Sequence, residues 1–174
     1  RPAGYTTMMS GKWHLGDQPG NRPQQRGFDH FFGVPEGGGV YFMPFRKGRT
    51  IVLGDAPIEV DTANFYSTIA FNDYARRFVD AHTDTSDAPF FLYLPHIAPH
   101  FPLQVPDTML EKYLGKYQAG FQAVRAQRFA RMQEMGILPD NIQLSPSDEQ
   151  VLDWEALDEG EKACFDRKMA TYAA

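Results

Sequence analysis

The sequence predicts an α/β protein with a mostly parallel sheet flanked by helices, and three stretches carry that prediction. Pro89-Phe90-Phe91-Leu92-Tyr93-Leu94 is a continuous apolar run of strand length, the pattern of a strand covered on both faces. Residues 62–81 lead into it with Phe65, Ile69, Ala75, Phe78 and Val79 near a 3.6-residue period, an amphipathic helix. Residues 5–9, between Gly4 and Gly11, are short, apolar and hydroxyl-rich and suit a second buried strand. A helix that delivers the chain into a buried strand is a βαβ pattern, which places the strands in parallel.

The other elements follow in order. Residues 17–26 form a turn-rich loop with Pro19, Gly20, Asn21 and Pro23. Phe28, Phe31 and Phe32 stand at helical spacing as core anchors, with His30 structural or exposed between them. Gly37-Gly38-Gly39 is a connector, because ordering each glycine costs the most backbone freedom. Residues 40–45 and 50–53 read as short strands around a solvated basic tip, Arg46-Lys47-Gly48-Arg49. The helix over 62–81 takes Asp61 or Thr62 as its cap and ends near His82.

After the apolar strand comes a proline-stiffened loop over 95–106, then helices over 107–114 and 117–135. In the longer one Phe121, Val124, Met132 and Met135 share a face, Gly136 stops it, and Arg125, Arg128 and Arg131 coat its outer side. Pro139 and Pro146 mark a further loop. Asp158, three residues before Glu161, forms a capping box that opens the terminal helix.

With 174 residues, 43% of them hydrophobic and 14% aromatic, the chain can bury one core, and residues 1–174 are expected to be part of one domain. A net charge of -5 argues against a general nucleic-acid or anionic-membrane binder, which needs a basic face. No apolar run approaches the roughly 20 residues of a transmembrane segment. The opening Arg1-Pro2-Ala3 and the helix-like end at Tyr172-Ala173-Ala174 suggest an internal segment of a longer protein. Cys164 is the one cysteine, so no intrachain disulfide forms; its surroundings predict a half-buried helix residue.

Two stretches carry chemistry. Lys12 and His14 stand two apart after a strand, so in extended backbone they project together while Trp13 points away. A fixed ammonium beside an imidazole that titrates near neutrality suits an oxyanion ester. A nucleotide phosphate loop is excluded by spacing: Thr6 occupies the position of its first glycine and Trp13 that of its hydroxyl residue. The second stretch leaves the carboxyl end of the apolar strand, where parallel α/β sheets bind ligands, and holds His96 and His100 among Pro95, Pro99, Pro102 and Pro106. The histidines are four apart, but Pro99 breaks a helix between them and no acid follows His96, so no metal site is assigned.

Gly4-Tyr5-x-Thr7-x-x-Ser10-Gly11-Lys12-Trp13-His14 resembles the second signature of the sulfatase family. Arg26-Gly27-Phe28-Asp29 resembles the run that often follows it, and Ala98-Pro99-His100-Phe101-Pro102-Leu103 resembles a third family pattern; the likeness extends from about Gly4 to Gly136 and is weak beyond. The resemblance implies an alkaline-phosphatase-like fold and arylsulfatase-type hydrolysis of sulfuric esters. It makes Lys12, His14 and His100 the catalytic set, with Lys12 and His100 also binding substrate. Lys12 would touch the sulfate, His14 would hydrogen-bond a formylglycine hydrate as base, and His100 would serve the leaving alcohol. His96 has no counterpart in the pattern and is a flanking residue.

The implied cofactors are Ca2+ or another divalent cation and the formylglycine itself, with ligands and nucleophile outside this segment. Cys164 lacks the Cys-x-Pro-x-Arg setting in which formylglycine arises. The expected partners are a sulfated small molecule or glycan and the remainder of the catalytic domain, without which the segment would be inactive. A periplasmic, extracellular or lysosomal location is implied. The alternatives are a phosphodiesterase or phosphonate hydrolase of the same superfamily, or a catalytically inactive, glycan-binding relative.

Overall fold

The computed structural model describes residues 3–37, 41–42 and 49–174. The chain divides into two compact units, Arg1–Leu103 and Gln104–Ala174. Gly38-Gly39, most of the strand expected over 40–45 and most of the basic tip at 46–49 lie outside the described residues.

The first unit is built on β1 (Thr6–Lys12), β2 (His30–Val34), β3 (Val52–Leu53), β4 (Ala56–Pro57), α1 (Ser67–Thr83) and β5 (Phe90–Tyr93). The sheet runs β4-β3-β2-β1-β5, with β2, β1 and β5 parallel and the β3–β4 hairpin antiparallel. The mixed α/β architecture with a largely parallel sheet is therefore as the apolar pattern predicts. β1 is central, and Met8, Met9, Ser10 and Gly11 are all buried because both faces are covered. On one face Met9 packs with Phe31 and Val52, joined by Trp13 and Phe28. On the other, Phe32 stacks on Tyr74 of α1 at 3.5 Å and meets Phe71 edge-on at 6.1 Å. Burial of side chains of this size stabilises by about 1.5–3 kcal/mol each.

Long-range polar ties fix how β1 and β2 meet. Thr7 donates its hydroxyl to the Gly27 carbonyl at 2.6 Å, and its amide donates to the Asp29 carboxylate at 2.9 Å. Ser10 Oγ donates to the Phe71 carbonyl at 2.7 Å, which ties α1 to the sheet. Gly11 and Gly33 are register partners at the strand ends, and a Cβ on Gly33 would lie 1.8 Å from the Gly11 carbonyl oxygen. Only glycine allows that approach.

Several local expectations shift. Phe31 and Phe32 are buried core residues as expected, but they anchor a strand, β2, rather than a loop, because the segment pairs with β1. His30, by contrast, is exposed as expected and stacks on Phe78 at 5.5 Å. The helix starts at Ser67, because the Asp61 carboxylate accepts from Ala63 N and Asn64 Nδ2 and so closes a separate turn over 61–64. Phe71 and Ala75 fill the buried face, while Ile69 is exposed. β5 is not covered on both sides: Phe90, Phe91 and Tyr93 are 40%, 52% and 45% exposed, since β5 is an edge strand that, among the described residues, pairs only with β1.

The second unit holds α2 (Asp107–Leu110), α3 (Gly120–Glu134) and α4 (Glu159–Ala173). Phe121 meets Trp154 and Phe165 edge-on at 5.1 and 5.2 Å. Asp166, buried on α4, accepts from Gly115 N at 2.8 Å and Tyr117 N at 2.9 Å, satisfying the turns that lead into α3. Asp158 and Glu161 form the reciprocal capping box expected of them. Arg125 is not a bare surface coat: it donates to the Ser145 carbonyl at 2.8 Å and hydroxyl at 2.6 Å. Arg131 pairs with Glu134 at 3.3 Å. Cys164 is exposed rather than half-buried. No helix of the described residues is long and apolar enough to cross a membrane.

Candidate active site

The stretches that carry Lys12, His14 and His100 follow the carboxyl ends of β1 and β5. Lys12 is the last residue of β1. Its amide donates to the Pro95 carbonyl at 2.9 Å, so the end of β1 is bonded to the start of the loop that follows β5. A Cβ on Gly11 would fall 2.2 Å from that same oxygen, so a glycine is required for the two segments to meet. The Lys12 side chain is half-buried and makes no ion pair among the described residues.

Trp13 turns to the opposite side, as the strand period requires. Its indole N–H donates to the Asn21 carbonyl at 2.8 Å and its ring meets Phe28 edge-on at 6.0 Å. His14 departs from expectation in its backbone. The strand has ended, and His14 sits at φ 63°, the single non-glycine residue with positive φ among those described. Such a conformation costs roughly 1–2 kcal/mol and is sustained only by its surroundings. Here the His14 amide donates to the Pro35 carbonyl at 3.1 Å, and the ring lies over Gly37, where a Cβ would stand 2.0 Å from Nε2. The direction of the exposed His14 imidazole is thus set by a left-handed kink and the Gly37 backbone, not by strand alternation.

His100 is exposed at the end of a turn in which its amide donates to the Ile97 carbonyl at 3.0 Å. Its Nδ1 is 2.5 Å from the Phe101 carbonyl oxygen, which leaves Nε2 outward. The His100 carbonyl accepts from the Tyr41 hydroxyl at 2.8 Å, and the Tyr41 carbonyl in turn accepts from Ser67 N at 2.8 Å. Tyr41 is buried against Tyr66, and burial, with Tyr66 adding to it, raises the phenol above its ordinary pKa, so it remains a donor. The loop bearing His100 is therefore attached to β1 through Pro95 and to the first turn of α1 through Tyr41.

Sequence reasoning gave Tyr41 no role, because an isolated tyrosine in an apolar stretch has no motif. His96, set aside as a flanking residue, has its ring 6.4 Å from Phe71 and its pKa held below the ordinary histidine value by burial. Its place among prolines at a strand end was the available clue. Among the described residues no three His, Cys, Asp or Glu side chains are grouped so as to hold a metal ion. Cys164, on α4, has neither the sequence context of a formylglycine precursor nor a place in this unit. The described residues do not fit the metal or the formylglycine.

The sulfatase family model matches residues 1–173, beyond Gly136 where the sequence resemblance fades. The chain is 35% identical over 185 residues to an uncharacterized sulfatase of Schizosaccharomyces pombe, covering 99% of this chain and 33% of that protein. It is also 35% identical over 188 residues to the arylsulfatase of Klebsiella aerogenes, covering 100% of this chain and 38% of that one. The crystal structure of Ps i-CgsB in complex with k-i-k-neocarrahexaose is similar over 64% of this chain and 28% of its own, with a TM-score of 0.57 at 31% identity. The chain spans about a third of the length of these curated relatives.

Proposed function

The chain belongs to the sulfatase family, and from that premise we propose that it forms part of an enzyme hydrolysing sulfuric esters, with a sulfated glycan as its substrate class. The 2.9 Å hydrogen bond from Lys12 N–H to the Pro95 carbonyl supports the reading most directly, because it couples the stretch carrying Lys12 and His14 to the loop carrying His100. The neighbouring Ps i-CgsB structure, which holds an oligosaccharide, supports the glycan half. The family in general carries a divalent cation and a formylglycine, and neither is assigned to residues of this chain.

Each side chain has a task that its environment permits. As a sulfuric ester breaks, negative charge builds on the leaving oxygen, and fixed positive charge that holds the sulfate with that oxygen beside it lowers the barrier. Lys12 supplies it, on a rigid strand end. The leaving alcoholate needs a proton, and His100, whose Nδ1–H faces the Phe101 carbonyl, gives one from Nε2 when the ring enters the step as the imidazolium. His14, exposed and held by Gly37 and Pro35, is the proton acceptor on the nucleophile's side.

In the full-length protein His100→Ala should lower kcat on an aryl sulfate by two or more orders of magnitude, the scale of a lost acid-base group. A near wild-type rate removes His100 from the site. Turnover of the phosphate analogue in place of the sulfate would reassign the substrate to phosphate esters. Comparing sulfated oligosaccharides with a simple aryl sulfate tests the glycan assignment.

A further inference from the structure

Three side-chain atoms among the described residues are buried without a hydrogen-bond partner: Ser67 Oγ, Thr68 Oγ1 and His96 Nδ1. They are not scattered. Ser67 and Thr68 open α1, and the His96 ring lies against Phe71, one turn further along that helix. Ser67 and Phe71, four apart, share a helix face. A buried polar group left unmade costs about 1–3 kcal/mol, so three at one helix end would be a large debt for a domain of this size. Two hydroxyls and one neutral imidazole nitrogen can satisfy one another through a single buried water, which commonly makes about three such bonds.

The place of this cluster gives it a purpose. Ser67, whose hydroxyl is one of the three, also donates its amide to the Tyr41 carbonyl, and Tyr41 holds the His100 carbonyl. His96 stands at the other end of the same short loop, one residue after the Pro95 carbonyl that accepts from Lys12. One end of the His100 loop thus packs near Phe71 of α1, and the other is bonded to Tyr41, whose carbonyl accepts from the first residue of that helix.

We propose that His96 is a positioning residue for His100, its Nδ1 joined to the Ser67 and Thr68 hydroxyls through a buried water so that the loop over 95–101 is fixed to α1. Nδ1 is buried against α1, and it is through this nitrogen that His96 acts on the loop. The catalytic consequence rests on the sulfuric-ester reading; the anchor itself does not.

Two measurements on the full-length protein test it. His96→Phe keeps a ring against Phe71 and removes both nitrogens, whereas His96→Asn returns a polar atom near the position of Nδ1. On a sulfate ester, kcat should fall about tenfold in the phenylalanine variant with KM within about twofold, and the asparagine variant should recover to within about threefold of wild type. Equal rates in the two variants, or an unchanged rate in His96→Phe, overturn the proposal. Independently of turnover, spectra of the 15N-histidine-labelled protein should show a single neutral tautomer for His96, and Ser67→Ala combined with Thr68→Val should shift its Nδ1 resonance. An unmoved resonance overturns the anchor even in an active enzyme. A shifted resonance in a protein that turns over no sulfate ester upholds the anchor and refutes only the activity.

Discussion

Adding one methyl group at position 11 should separate the two halves of the candidate site. A Cβ on Gly11 would stand 2.2 Å from Pro95 O and 2.9 Å from Pro95 C, both backbone atoms with no rotamer to yield. Ordinary contact begins near 3.4 Å, so the end of β1 and the loop after β5 must part by about 1.2 Å, the difference between 3.4 and 2.2 Å. The same carbonyl accepts from Lys12 N at 2.9 Å, and an opening of that size breaks the bond. Alanine at φ +144° adds backbone strain of roughly 1–2 kcal/mol. A misplacement of about 1 Å between reacting groups can cost on the order of 100-fold in rate. Gly11→Ala in the full-length protein should therefore retain its far-UV circular dichroism while kcat on an aryl sulfate falls about 100-fold. Gly20→Ala is the control: φ is +90°, but nothing lies within 4 Å of the added Cβ, so strain is introduced without displacing the loop. The reasoning is refuted by a folded Gly11→Ala enzyme within about threefold of wild type, or by a Gly20→Ala enzyme equally impaired.

Three further outcomes are expected. Tyr41→Phe deletes the hydroxyl that serves the His100 carbonyl, and should lower stability to urea by about 1–2 kcal/mol with kcat falling more than KM rises. Asp166→Ala leaves Gly115 N and Tyr117 N without their acceptor, and should cost about 3 kcal/mol and speed amide exchange at those two positions. Gly120→Ala places a Cβ 2.3 Å from the Trp154 ring at φ +87°; a shifted Trp154 emission and a loss of about 2–3 kcal/mol should follow.

The parts that were legible share a physical basis in local pattern. β1 and β5 announce themselves as apolar runs, and the capping box of α4 is contained within four residues, so neither depends on distant chain. The errors arise where two local rules compete or where pairing decides. Asp61 satisfies Ala63 and Asn64 in its own turn and so never caps the helix assigned to it. Phe31 and Phe32 are core anchors as read, but the loop assigned to them is a strand, because pairing with β1 captures them. The run over 89–94 reads as doubly covered, yet a strand at the edge of its sheet presents half its aromatic surface. Arg125 reads as solvent-facing until a loop 20 residues later brings Ser145 to it.

The amino-acid sequence by itself determined the inventory: a lysine and a histidine at a glycine-bounded strand end, a second histidine in a proline-stiffened loop, and apolar periods sufficient for a parallel sheet. Charge, proton affinity and backbone period are properties of a residue and its near neighbours, and so they can be read in one dimension. Tertiary structure alone decided that Lys12 bonds to Pro95, that Tyr41 reaches His100 across 59 residues, and that His14 is aimed by a left-handed kink over Gly37. Those arrangements depend on which buried donors and acceptors meet when sheet and helix close on one another, a question that spacing along the chain does not pose.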